Sequence, residues 1–189
     1  MKKILVSVVA SALLASSLSA ISFKKESLKI DFEGYKTKEM IATAGTFKDV
    51  KYTFGKDGSS LTTYLKNAKA TILPSNAFMG EGLELITENI TKVFFPSLLG
   101  NGDIKVLFQD VVEGDNKGVI SAKITLDKKS TIIPLTYTIQ DSKFEAKGQL
   151  DLHTFKNASK ALKDLSNVAP GHGGISWPLV SITFSADIE

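Results

Sequence analysis

The chain has no cysteine, so no disulfide can hold it together, and no lipid-modified cysteine can follow an export signal. Excess charge is nearly absent as well. The chain has 23 Lys and Arg against 20 Asp and Glu, a net +3. If Lys2 and Lys3 leave with a leader, the remainder carries +1. Phosphate backbones are bound by concentrated Lys and Arg, so a near-neutral surface argues against a nucleic-acid partner. Prolines are few, and no Pro-rich linker, low-complexity tract or internal repeat divides the sequence. No apolar run reaches the roughly 20 residues that a membrane-spanning helix needs.

The longest such run is at the start. Met1, Lys2 and Lys3 are followed by an uncharged stretch from Ile4 to Ala15 and then by small Ser16, Ser17, Ser19 and Ala20. That order of basic, apolar and small residues reads as a secretory signal peptide over 1–20, with cleavage expected between 17 and 22. The remaining residues, 21–189, are enough for one domain with its own core. The mature protein is expected to be soluble, in the periplasm or secreted.

Past the leader the dominant signal is alternation with period two, the mark of half-buried strands. Leu28, Ile30 and Phe32 alternate with Lys29, Asp31 and Glu33, and a second strand is expected over 46–54, with Val50, Tyr52 and Phe54 on one face against Asp49, Lys51 and Thr53. A third, less regular strand is expected over 60–72, after the Lys56-Asp57-Gly58 turn. Ile104, Val106 and Phe108 then lead through a Gly114–Gly118 turn to Ile120, Ala122, Ile124 and Leu126, a hairpin pattern. Ile133, Leu135, Tyr137 and Ile139 come next, then Phe144, Ala146, Gly148, Leu150 and Leu152, and finally Val180, Ile182, Phe184, Ala186 and Ile188. Two helices interrupt this rhythm, one over 83–95 with Pro96 as its stop, the other over 155–165.

These segments predict an all-β fold, an extended eight-stranded antiparallel barrel with two short helices, because closure removes exposed strand edges. An outer-membrane barrel has the same period. The Ile188-Glu189 ending, the absence of paired aromatic girdles and the helices within the strand sequence argue against it, so no stable membrane insertion is expected. At eight strands a lumen is either filled by side chains or holds one small ligand. Ala122, Ala146, Gly148 and Ala186 fall on the inward faces and leave room, while Phe32, Phe54, Phe108, Tyr137, Phe144 and Phe184 supply an aromatic wall. Alternation alone leaves cavity and packed core both open.

Six segments in shared order resemble the YceI family of exported, lipocalin-like proteins. They are Gly45-Thr46-Phe47, Asn89-Ile90-Thr91-Lys92-Val93-Phe94-Phe95, Lys117-Gly118-Val119, Ile133-Pro134-Leu135, Ala146-Lys147-Gly148 and His172-Gly173-Gly174-Ile175-Ser176-Trp177. The resemblance implies a barrel around a tunnel for a polyisoprenoid or a long-chain fatty acid or amide, closed near one end by helix and loop. The chain departs from the family pattern at Glu26-Ser27, where many members have His-Ser. Its helix also lacks the acidic and His residues that often precede the paired Phe.

The expected function is a carrier of one long apolar chain. Its contacts are expected at Phe32, Phe54, Phe94, Phe108, Ala122, Ile124, Leu135, Tyr137, Phe144, Ala146, His172, Trp177, Ile182 and Phe184. The alternative is a ligand-free packed barrel serving as a stress-response or protein-interaction module. No cofactor or metal is expected, and a homodimer is left open. Asp151 and His153, two apart, could join His172 around a metal, but an outward polar face explains them more simply. Gly174-Ile175-Ser176-Trp177-Pro178 lacks the final Gly of a nucleophile elbow and precedes a strand rather than a helix. No nucleophile and base stand at a catalytic spacing, so the chain is read as a non-enzyme. His172 and Trp177 are expected to flank the mouth of the barrel, and Phe94 and Phe95 to pack as core or as a lid.

Overall fold

A computed structural model of the chain describes residues 21–56, 58 and 60–189. The expected signal peptide, 1–20, and Asp57 of the first turn lie outside the described residues. The strands are β1 (Lys29–Lys36), β2 (Ile41–Phe47), β3 (Lys51–Thr53), β4 (Lys69–Ile72) and β5 (Ala77–Phe78), then β6 (Ile104–Glu113), β7 (Lys117–Leu126), β8 (Lys129–Gln140), β9 (Lys143–Asp151) and β10 (Ser176–Asp187). All pair antiparallel in one sheet, in the order β3-β4-β6-β7-β8-β9-β10-β1-β2-β5.

The all-β expectation holds, but the described residues form ten strands rather than eight, in a curled, half-barrel sheet whose ladder does not close. The segment expected as one strand over 46–54 is two. A turn through Asp49, at φ 52°, ends β2 and redirects the chain into β3. The sheet's edges are β3 and β5, three and two residues long. Edges this short offer little template for pairing with another chain.

The expected strand over 60–72 is a second correction. It begins as helix α1 (Leu61–Leu65) and only then becomes β4. Leu61, Tyr64, Leu65 and Ala68 are all buried, and their spacing of three, four and seven is helical rather than alternating. Ser60 caps the helix by accepting from the Thr63 N–H at 3.2 Å. The Glu113 carboxylate accepts from the Leu61 N–H at 3.3 Å and the Thr62 N–H at 3.0 Å. Local sequence and a partner from β6 thus satisfy the orphan donors of a very short helix.

The first long helix also outruns its expected stop. It runs as α2 (Glu84–Glu88), a π-helical segment Asn89–Phe94, and α3 (Phe95–Leu99), which contains Pro96. Pro96 lies inside this continuous helix, where it forgoes one backbone hydrogen bond. The wider π turns lie immediately upstream. The last helix, α4 (Ala158–Val168), begins three residues later than expected and buries Ala158, Ala161, Leu162 and Leu165. It packs against the π segment, α3 and β10, so the helices cover the concave side of the sheet at one end.

Candidate functional site: a half-filled lumen

The concave face of the sheet is apolar by strand alternation. Ile120, Ala122, Ile124 and Leu126 on β7 are 0–4% exposed, while Ser121, Lys123 and Thr125 between them face outward. The two ends of the enclosed space differ. At one end six aromatic rings close it. Phe23 lies 5.2 Å from Tyr64, 5.0 Å from Phe144 and 5.8 Å from Phe184, centroid to centroid. Phe54 stacks on Tyr64 at 5.0 Å, and Tyr137 on Phe144 at 5.1 Å. Each such pair adds about 0.5–1.5 kcal/mol to simple burial. This end is a packed floor.

Above the floor the side chains do not fill the lumen. A cavity of about 340 Å³ lies between the sheet and the helices, with a wall that includes Phe32, Phe54, Phe108, Phe94, Ile182 and Phe184. Its size is within the range of sites for small organic ligands. Cavity and packed core, both left open by the sequence, each occupy part of one lumen.

Registers build the wall in layers. Ile30 pairs with Phe184 on one side and Phe47 on the other; the next layer is Ile182, Phe32 and Gly45, and the one above it Val180, Gly34 and Thr43. Gly45 is required where it stands. A Cβ there would lie 2.6 Å from both the Phe32 ring and the Met79 sulfur, so the aromatic ring occupies the space a side chain would take. Gly148 works the same way and does not add room, since Leu135 lies 2.6 Å from where its Cβ would be.

The top layer is polar. Lys36 pairs with Ser176 across a bulge in β10 and with Ile41 on β2. The His172 Nδ1 and Ser176 Oγ share a hydrogen bond of 2.7 Å, and Ser176 Oγ bonds Ser166 Oγ at 2.8 Å. The Trp177 indole N–H donates to the Thr37 carbonyl at 2.6 Å, tying β10 to the turn at the end of β1. Burial, helped by the positive charge of Lys36, holds the His172 imidazole below its ordinary value and favours the neutral ring. Burial and the Asp31 carboxylate push the Tyr52 phenol on the cavity wall up to about 12, so it stays a neutral hydroxyl. Leu85 lines the cavity while 67% exposed, which puts the opening beside α2.

Eleven of the expected contact residues come together on this cavity. They are Phe32, Phe54, Phe94, Phe108, Ala122, Ile124, Leu135, His172, Trp177, Ile182 and Phe184. Tyr137, Phe144 and Ala146 do not reach it. They lie lower in the lumen, where Tyr137 and Phe144 form part of the aromatic floor and Ala146 pairs with Tyr137 and Phe184. Phe94 and Phe95 are both buried and both face the cavity. Sequence reasoning missed the helical share of the wall, including Leu85, Ile86, Ile90, Leu98, Leu162 and Leu165. The signal for these residues is the same three-and-four spacing that marks the helices.

The other candidates have local roles. Asp151 accepts from the His153 N–H at 2.9 Å and caps a short turn, with both side chains exposed. Among the described residues no three His, Cys, Asp or Glu side chains cluster around a metal-sized site. No described helix is long and apolar enough to cross a membrane.

The sequence matches no family model and no curated protein. The fold does have solved counterparts. BcnA from Burkholderia cenocepacia superposes over 89% of this chain and 99% of its own, with a TM-score of 0.61 and 16% identity. A Campylobacter jejuni YceI protein superposes over 66% of this chain and 77% of its own, at 18% identity and a TM-score of 0.50. A mutant of that protein gives the same coverage at 19% identity and 0.51. The curled antiparallel sheet is shared with these structures at low identity, which gives the chain a YceI-like fold.

Proposed function

We propose that the mature protein is an exported carrier, acting in the periplasm or after secretion, that holds one long apolar chain in this lumen. The observation that carries the reading is a hydrocarbon-lined cavity, closed below by aromatic rings and open above beside α2. A protein with no ligand to hold has no use for such a space, since an empty apolar volume forgoes contacts that a packed core would make.

The floor limits how much chain fits. From Ile30 to Lys36 the strand advances about 20 Å, or about 15 Å of depth once a barrel-like tilt is allowed for. An extended chain gains about 1.2 Å per bond, so the lumen takes a tail of about a dozen carbons. A longer acyl or isoprenoid tail would fold back or project past the rim. Burying about 12 methylenes at about 0.8 kcal/mol each yields about 10 kcal/mol, against an association cost of about 4–15 kcal/mol. Binding is then reversible, as transport requires.

The test is to purify the mature chain, extract it with organic solvent and analyse the extract by mass spectrometry, before and after incubation with dodecanoate. A bound long-chain species at near one per protein is expected. Extracts free of such species under both conditions would remove the proposal.

A further inference from the structure

Along β1 the inward positions are Ile30, Phe32, Gly34 and Lys36, so a lysine takes the place at the rim where the alternation calls for another apolar residue. Lys36 is half-buried as a residue, and a cation at the edge of an apolar lumen is stabilised by an opposite charge or hydrogen-bond acceptors. None of the ion pairs among the described residues includes Lys36. No Asp or Glu lines the cavity. Its other lysine, Lys69, belongs to β4, where it alternates with inward Ala70 and is exposed.

The surroundings of Lys36 are arranged without a counter-charge. The backbone of the loop beyond α4 passes close by, with Lys36 Nζ 3.9 Å from where a Cβ on Gly171 would be. Across the rim, Ser176 is held by His172 and by Ser166, whose own proton goes to the Leu162 carbonyl, so Ser176 donates to a ligand by releasing its bond to Ser166. Lys38 and Glu39, in the turn beyond, are exposed. Lys36 therefore sits among a few neutral polar groups, those of Ser176, His172, Thr43 and Asn89, at the rim of a lumen that is mostly hydrocarbon below apart from the Tyr52 hydroxyl.

Building on the carrier function, on which this rests, we infer that the ligand is an amphiphile with a single anionic head group, a carboxylate or a phosphate, seated on Lys36 and Ser176 at the rim. The apolar tail runs down to the aromatic floor. The head group pairs with an ammonium that has no counter-charge among the described residues, and charge-assisted hydrogen bonds of this kind are the stronger class.

The experiment compares three probes of equal tail length below their micelle limits: dodecanoate, monododecyl phosphate and dodecanol. Each is titrated into wild type, Lys36→Met and Lys36→Arg at pH 7.5, with Trp177 emission and calorimetry as readouts. The expected result is that at least one anion binds wild type about tenfold or more tightly than the alcohol. Lys36→Met should bring that anion to the alcohol's affinity and leave the alcohol unchanged, and Lys36→Arg should keep the preference. Whichever anion binds tighter identifies the head group. Equal binding of all three probes by wild type, or an anion affinity untouched in Lys36→Met, overturns head-group selection while leaving the carrier function intact. Failure of all three probes to bind removes both. Thermal melts of the two variants confirm that they fold.

Discussion

At the scale of single residues, two buried alanines separate the two halves of the lumen. Ala122 and Ala146 are both 0% exposed, but only Ala122 faces the cavity. Ala146→Phe must force a ring into the packed floor and is expected to cost about 1–3 kcal/mol, read as a lower denaturant midpoint. Ala122→Phe has empty space to enter, so it should lose less stability and instead reduce uptake of a twelve-carbon probe. If the two variants behaved alike in both assays, the division into floor and cavity would be wrong. The sequence placed both alanines inward correctly, because period two settles facing. It could not settle depth, which depends on Phe23 and Tyr64 arriving from distant parts of the chain.

His172 carries the residue-scale pH dependence. Its folded pKa lies below the ordinary imidazole value of about 6.5, so the unfolded chain takes up the proton first. Stability from the neutral ring is therefore complete above about pH 6.5 and declines as pH falls below it, levelling off under the folded pKa. Melts of wild type and His172→Gln across pH 7.5 to 5 should diverge in slope, with the wild type falling more steeply. Parallel curves would show that the ring titrates as freely in the fold as in the unfolded chain.

Among the elements, α1 is the clearest case of a short segment made helical by its caps. Glu113 feels burial, which opposes its charge, but hydrogen bonds from Thr62 and Leu61 outweigh that and hold its carboxyl below the usual range. Glu113→Ala should cost about 1 kcal/mol, in line with other lost N-terminal caps, and the wild-type advantage should vanish as acid protonates the carboxylate. Chemical denaturation at pH 7 and at pH 3 checks both statements; an equal deficit at the two pH values would refute the cap. The long strands β6 to β10 were legible because hydrophobic alternation runs through much of each, though a bulge after Phe108 interrupts it in β6. The region from Ala42 to Phe78 was not, because β3, β4 and β5 are too short for a period to establish itself. Pro96 misled for a different reason, since the helix continues past it from a π-helical stretch that no sequence periodicity announces.

For the whole molecule, the N-terminal residues described are integral to the closed end. The Ile21 N–H donates to the Gly58 carbonyl at 2.8 Å, the Glu189 N–H to the Ser22 carbonyl at 3.0 Å, and Phe23 is 3% exposed in the floor. A cut after Ser22 would discard the first two bonds, whereas a cut after Ser19 or Ala20 keeps them. If the proposed leader is cleaved, N-terminal sequencing of the mature protein is expected to begin at Ala20 or Ile21, and a start at Phe23 would contradict this.

That arrangement also decides which way the molecule can be attached to something else. Residues 21 and 189 emerge together beneath the rings, at the opposite pole from Lys36, Trp177 and α2. A reporter domain fused behind Glu189, or a bead coupled there, would hang from the sealed pole and leave the entrance unobstructed. The same chain immobilised through lysines around Lys36 would be corked.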